Sequence, residues 1–159
     1  MKYNFLTLAL FFSIVIFISC SDDDESATSA YKFDNVDATG KINNVPFTYA
    51  DGYADISNNE IRITLSLPQD NPGCAMFIPE GNQVFFTIDK AIKITALKFT
   101  QTESHTVTLF EADKTMNYIA SKGAVEITEI TDTKVSGRID ARMDSKTFVN
   151  GNFTVPVCQ

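Results

Sequence analysis

The strongest constraint on the fold is a period of two. Residues 60–67 read Glu-Ile-Arg-Ile-Thr-Leu-Ser-Leu, so Ile61, Ile63, Leu65 and Leu67 share one side of an extended chain and Glu60, Arg62, Thr64 and Ser66 the other. Successive side chains of a strand point to opposite faces, whereas a helix repeats its apolar positions every three or four residues. One wet face and one dry face suit an antiparallel sheet laid over a core. Similar short runs, rich in β-branched and aromatic residues, predict strands over residues 39–43, 46–50, 53–57, 83–88, 93–100, 105–111, 116–120, 123–131, 133–143 and 147–157. Turn-forming residues separate them: Pro68 to Gly73, Pro79 to Asn82, Asp113-Lys114 and Asp144-Ser145-Lys146. Breaks of this frequency predict an all-β domain: an antiparallel β-sandwich, or alternatively a β-barrel.

The C-terminal part carries a short echo. Val135-Ser136-Gly137-Arg138-Ile139-Asp140-Ala141 and Val149-Asn150-Gly151-Asn152-Phe153-Thr154-Val155 share the pattern Val-x-Gly-x-apolar-x-apolar, with Asp144-Ser145-Lys146 between them. This predicts a terminal hairpin whose inward faces each hold one glycine, marking a bulge or room for a large neighbour. Pro156 predicts an edge strand, or the last residue of one. Strict alternation places Val149, Gly151, Phe153, Val155 and Val157 inward, and so Cys158 outward.

The N-terminus has another character. Met1 to Asn4 form a short positive leader, and residues 5–18 an apolar run. A helix of that length rises about 21 Å, short of the ~30 Å hydrocarbon core, so the run reads as a signal-peptide core. It ends Phe17-Ile18-Ser19-Cys20, which resembles the lipobox of bacterial lipoproteins, although Phe17 stands where such motifs usually carry an aliphatic residue. The resemblance implies that residues 1–19 are removed, that Cys20 is the lipid attachment site, and that its acyl chains, palmitate among them, give stable anchoring. Ser21, Asp22, Asp23, Asp24 and Glu25 follow. The plainer reading is a solvated acidic linker; the sharper one is that this run resembles the surface-export signal of Bacteroidota lipoproteins. That resemblance implies an outer-membrane, lipid-anchored protein facing the cell exterior, the periplasmic face being the alternative. Residues 20–32 are then lipidated cysteine and flexible acidic tether, and 33–159 a single β domain. Gly40-Lys41-Ile42-Asn43-Asn44-Val45-Pro46-Phe47 at its start and Val149-Asn150-Gly151-Asn152-Phe153 at its end resemble small single-domain Bacteroidota lipoproteins, which implies a β-sandwich or calycin-like barrel but no activity.

Export bears on the other two cysteines. Cys74 and Cys158 fit no metal-ligand spacing. In an exported protein such a pair is expected to form a disulfide; two buried free thiols are the alternative. Charge bears on partners. The formal net charge is −7, and removal of Lys2 with the leader makes it −8. So acidic a surface, without a basic run, repels nucleic-acid phosphates and anionic headgroups, and leaves the N-terminal lipid as the means of membrane attachment.

Catalytic chemistry is hard to assemble from these residues. A Ser-His-Asp triad would have to use His105, the one histidine, and no Gly-x-Ser-x-Gly elbow is present. His105 reads as an ordinary strand residue. No metal site is expected: cysteine could supply two thiolates, and Asp51, Asp55, Asn58, Asn59 and Glu60 lack calcium-loop spacing and read as turn formers. No cofactor is expected, since no phosphate-cradling loop occurs. A small glycan-active or other hydrolase needs only two carboxylates and is the competing class. The leading expectation is a non-enzymatic binding or envelope-associated module for a protein or glycan ligand. Tyr49, Tyr53 and Tyr118 are candidate sugar platforms or packing residues. Phe47, Phe77, Phe85, Phe86, Phe99, Phe110 and Phe153 either fill a core or line a barrel that takes a small apolar ligand.

Overall fold

The structure, a computed structural model, describes residues 31–75 and 78–158. The leader, Cys20, the acidic run at 21–25 and Phe77 lie outside the described residues. The fold is all-β. Its strands are β1 (Thr39–Ile42), β2 (Val45–Thr48), β3 (Asp51–Ser57), β4 (Glu60–Ser66), β5 (Gln83–Asp89), β6 (Ile94–Ala96), β7 (Lys98–Phe99), β8 (Ser104–His105), β9 (Val107–Glu111), β10 (Met116–Ala120), β11 (Lys122–Ile130), β12 (Lys134–Arg142) and β13 (Phe148–Cys158).

Eleven strands form one sheet in the order β10-β9-β5-β4-β3-β13-β12-β11-β6, with β1 pairing β13 and β2; β7 and β8 make a separate hairpin. The sheet curls into a half-barrel. One half (β3, β4, β5, β9, β10) faces the other (β1, β2, β6, β11, β12, β13), and a single core lies between them. The hinge is β13. It pairs antiparallel with β12 along its length and with β1 at its start, then parallel with β3 at Val157 and Cys158.

Inward residues of β4 (Ile61, Ile63, Leu65), β5 (Val84, Phe86, Ile88) and β9 (Val107, Leu109) meet Ile127, Val135, Ile139, Val149, Phe153 and Val155 from the other half. Each such side chain contributes roughly 1.5–3 kcal/mol when removed from water. Phe86 and Phe153 close the two halves edge to face, their ring centroids 5.9 Å apart at 71°.

The terminal hairpin explains its two glycines. Gly137 pairs with Phe153, and Gly151 with Ile139. A Cβ on Gly137 would stand 2.6 Å from Phe153 Cζ and closer still to the Glu126 carbonyl oxygen, so Gly137 makes room for the neighbouring backbone as well as for the ring. Gly151 has φ 135°, and a Cβ there would meet the carbonyl oxygen of Val36 at 2.6 Å. The crowding comes from residues 36–38, which bridge to β13 at Asn152 through Asn152 N to Val36 O and Ala38 N to Asn152 O; the preceding residues 32–34 are held by the Asn150 side chain.

Three expectations change. Thr64 and Ser66, placed on the wet face of β4, are buried; Tyr53 and Phe85 flank Thr64 in the register, close enough to cover it. Residues 93–100 are two strands, because the chain leaves β11 at Leu97 to form the β7–β8 hairpin, which also takes His105 out of β9. Pro156 is in a strand with neighbours on both sides, not an edge: β13 has just left β1 and is about to meet β3, so the missing N–H falls between partners.

Candidate functional site

The core is filled by side chains; a concavity of about 530 Å³ opens at its rim, against Ile56, Ile130 and Val157, and others open on the outside of the sheet. One, of about 360 Å³, lies over β5 beside the entry to β9 and is lined by Arg62, Phe85, Phe86, Thr87, Ser104, Thr106 and Thr108. The register sets Tyr53, Thr64, Phe85 and Thr108 in one row across four strands. A guanidinium, a half-buried ring and several hydroxyls are what a polar, hydroxylated ligand requires: donors and acceptors around an apolar platform.

A second region lies where three hairpin turns meet. Asn43 and Asn44, both with positive φ, make the tight β1–β2 turn. Asn44 N donates to Lys146 O at 2.9 Å and Asn43 N to Thr147 Oγ1 at 3.1 Å, which ties this turn to the β12–β13 turn. Asn43 Nδ2 donates to Glu111 Oε2 at 3.1 Å, which ties it to the β9–β10 hairpin. Glu111 is buried, and it also accepts from Tyr118 OH at 2.9 Å and pairs with Lys114 at 3.1 Å. Burial pushes its carboxyl up. The bonds from Lys114, Tyr118 and Asn43 outweigh this and hold it below the usual carboxylate range.

Beside these turns, a concavity of about 500 Å³ is lined by Lys122, Arg142, Met143, Asp144, Ser145 and Phe148. It adjoins one of about 250 Å³ with which it shares Arg142 and Phe148, the remaining walls being Lys32, Asp34, Asp140 and Asn150. Asp140 is 2% exposed. Arg142 Nη2 donates to Asp140 Oδ2 at 3.0 Å, while Arg142 Nε lies 3.0 Å from Oδ1 without hydrogen-bond alignment. Burial raises the Asp140 carboxyl; Arg142 pulls it back and Asp34 adds to the rise. Asp34 and Asp140 thus share a wall, but the guanidinium already occupies the Asp140 carboxylate.

Residues 31–38 form this wall as a strap. Asn150 Nδ2 donates to Lys32 O at 2.8 Å and its Oδ1 accepts from Asp34 N at 2.9 Å. Asn152 N donates to Val36 O at 2.7 Å, and the Arg138 guanidinium lies 4.8 Å from the centre of the Phe33 ring.

The residues singled out in the sequence are dispersed. Cys74 and Cys158 are joined in a disulfide with Cα atoms 5.3 Å apart, on the rim. Tyr49 OH donates to Thr154 O, and its hydroxyl pKa is raised chiefly by burial. Tyr118 is held by Glu111, so of the three tyrosines Tyr53 faces outward beside the groove. Phe47, Phe86 and Phe153 fill the core, Phe85 and Phe110 lie half-buried, and Phe99 is exposed on β7. His105 Nε2 is 3.2 Å from Glu103 Oε1 in the β7–β8 hairpin, where the hydrogen bond from Lys98 is the main cause that lowers the Glu103 carboxyl. Asp51 and Asp55 stand on strand β3 rather than in a loop; Asp51 Oδ1 accepts from Gly52 N at 2.7 Å and Gly73 N at 2.9 Å, fastening the turn that carries Cys74. Among the described residues no group of three or more His, Cys, Asp or Glu is placed to hold a metal ion.

Sequence reasoning missed Glu111 and Asp140. Glu111 was legible, since Val107-x-Leu109-x-Glu111 puts it on the inward side of its strand. Asp140 was not, because its alternation points outward and the strap is what buries it. Compared with protein-family models, curated proteins and solved structures, the chain matches none.

Proposed function

We propose that the protein is a non-enzymatic binding module, lipid-anchored through Cys20, displayed outward on the outer membrane by the acidic run at 21–25, and taking a protein or glycan ligand on the outer face of β3, β4, β5 and β9. The observation that carries the binding half is the placement of space. Phe47, Phe86 and Phe153 fill the interior, while Arg62, Phe85, Thr87 and Thr108 line an open groove outside. The apolar run ending in Ser19-Cys20 supports the anchor. His105 and the carboxylates of Glu103, Glu111 and Asp140 are each engaged by neighbours, which favours binding over hydrolysis.

Three measurements test this. A clickable fatty acid should label the wild type and not Cys20→Ala; equal label refutes the anchor. Alanines at 22–25 should abolish cleavage by protease added to intact cells; unchanged cleavage refutes the export signal. Arg62→Ala and Tyr53→Ala should weaken retention on immobilised envelope glycans and proteins without lowering the melting temperature; wild-type retention by both refutes the groove.

A further inference from the structure

We infer that the end of the domain formed by the β1–β2, β9–β10 and β12–β13 turns rests on the lipid surface, so that the membrane itself is the partner of this end. The inference builds on the anchor at Cys20.

Two observations carry it. The first is where the chain comes from. Residues 20–30 would join the lipid to Tyr31, and eleven residues reach at most roughly 36–40 Å when extended. The strap is pinned beside the β12–β13 turn by Asn150, so the tether meets the domain there. The second is the make-up of the turns. Val45 (41% exposed), Met116 (49%) and Met143 (42%) bring one large apolar side chain from each of the three turn regions. The strap and the segments around the turns carry Lys32, Lys41, Lys114, Lys122, Arg142 and Lys146, against Asp34, Asp37, Glu111, Asp113, Asp140 and Asp144. These segments therefore sum to zero, while the other described residues, with six cations and ten carboxylates, sum to −4. On an acidic protein, the part without net negative charge is the part beside the tether. Cations near lipid phosphates, with apolar side chains entering the headgroup layer, are the composition of an interfacial surface. The Lys122, Arg142, Met143 and Phe148 concavity opens in the same region and offers cations and apolar wall together.

The test uses the full lipidated protein in phosphatidylcholine vesicles, with and without phosphatidylglycerol. A fluorophore is attached in turn through Met116→Cys, Met143→Cys, Asn58→Cys and Phe99→Cys. The labels at 116 and 143 should be about threefold less quenched by aqueous iodide than the label at 58, as expected for side chains within the headgroup layer. Lys114→Glu with Lys146→Glu should remove that protection while the protein still floats with the vesicles. Equal quenching at 116, 143 and 58 on floating protein overturns the inference, as does protection at 99 instead, which would put the β7–β8 hairpin on the membrane. Protein that fails to float refutes the anchor, and with it this orientation.

Discussion

Reduction of Cys74–Cys158 should cost this domain a large part of its stability. The bond closes a separation of 84 residues. A cross-link of that span removes conformational freedom from the unfolded chain worth about 4.5 kcal/mol at 25 °C on the chain-entropy account. With a melting entropy of roughly 2.1 cal/mol/K per residue, the domain of residues 33–158 loses about 17 °C in melting temperature. The native geometry gives little back on reduction, because Cys74 sits on a turn already held by Asp51, and Val157 and Cys158 keep their parallel register with β3. The assay is thermal unfolding followed by circular dichroism, with and without reductant, on wild type and Cys74→Ser. The variant should melt where the reduced wild type does and should not respond to reductant. Its urea m-value should rise, since the unlinked chain unfolds to a more open ensemble. A shift below about 3 °C would refute the reasoning, because a loop of this length cannot be so inexpensive unless the unfolded chain is already pinned.

Gly137→Ala should destabilise by about 1–3 kcal/mol, since its Cβ would meet Phe153 Cζ at 2.6 Å and the Glu126 carbonyl oxygen closer still, and the loss should shrink in part in a Phe153→Leu background; fully additive losses would place all of the strain at the Glu126 carbonyl. Phe153→Ala should cost about 3–5 kcal/mol by chemical denaturation, and a loss under half of that would mean the two sheet halves close without the ring. Glu111 contributes stability that is present above its unfolded pKa and lost as pH falls through its lowered folded pKa. Glu111→Gln should therefore flatten the acid side of the stability curve, and an unchanged curve would exclude the node. Asp140 has the opposite sign: with its folded pKa raised, its contribution is most favourable at low pH and is lost as pH rises through that value. The stability of Asp140→Asn relative to wild type should therefore improve between pH 3 and pH 7, and a decline over that interval would contradict the burial argument.

The period of two in residues 60–67 carried most of the fold, because an antiparallel strand writes its two environments directly into alternate residues. It failed where a neighbour beyond the local pattern decides burial. Thr64 and Ser66 are covered on the face that local alternation leaves wet. The echo around Gly137 and Gly151 was legible as a hairpin with room for a large side chain, and Phe153 is that side chain. Gly151 serves the strap instead, which no strand pattern encodes. The Cys74–Cys158 pair was legible from the cysteine count together with the export expected of the leader. The outer groove was not: Arg62, Phe85 and Thr108 lie on three strands, and only the register β4-β5-β9 brings them together. Sequence distance hides such a surface however clear each strand is.

Strand β13 is where these features converge. Its start is crossed by the strap through Asn150 and Asn152, its middle supplies Phe153 to the core, and its end is fastened by Cys158. It also carries the hydrogen bonding from one half of the sheet to the other. Under the proposed N-terminal anchor, tension from residues 20–30 would enter at Lys32 and Asp34 and be delivered to this strand, which has neighbours on both sides, rather than to an edge that could peel one bond at a time. Asn150→Ala with Asn152→Ala removes the side-chain half of that connection: the bonds to Lys32 O, Asp34 N and Asn35 Oδ1. Each such bond is worth about 0.5–1.5 kcal/mol when both partners otherwise reach water. The double variant should lose modest global stability, yet amide exchange at residues 33–37 should rise by at least tenfold as the strap opens on its own. If exchange there stays at the wild-type rate, the backbone bonds of Asn152 and Ala38 hold the strap unaided, and β13 receives the tether without help from its asparagines.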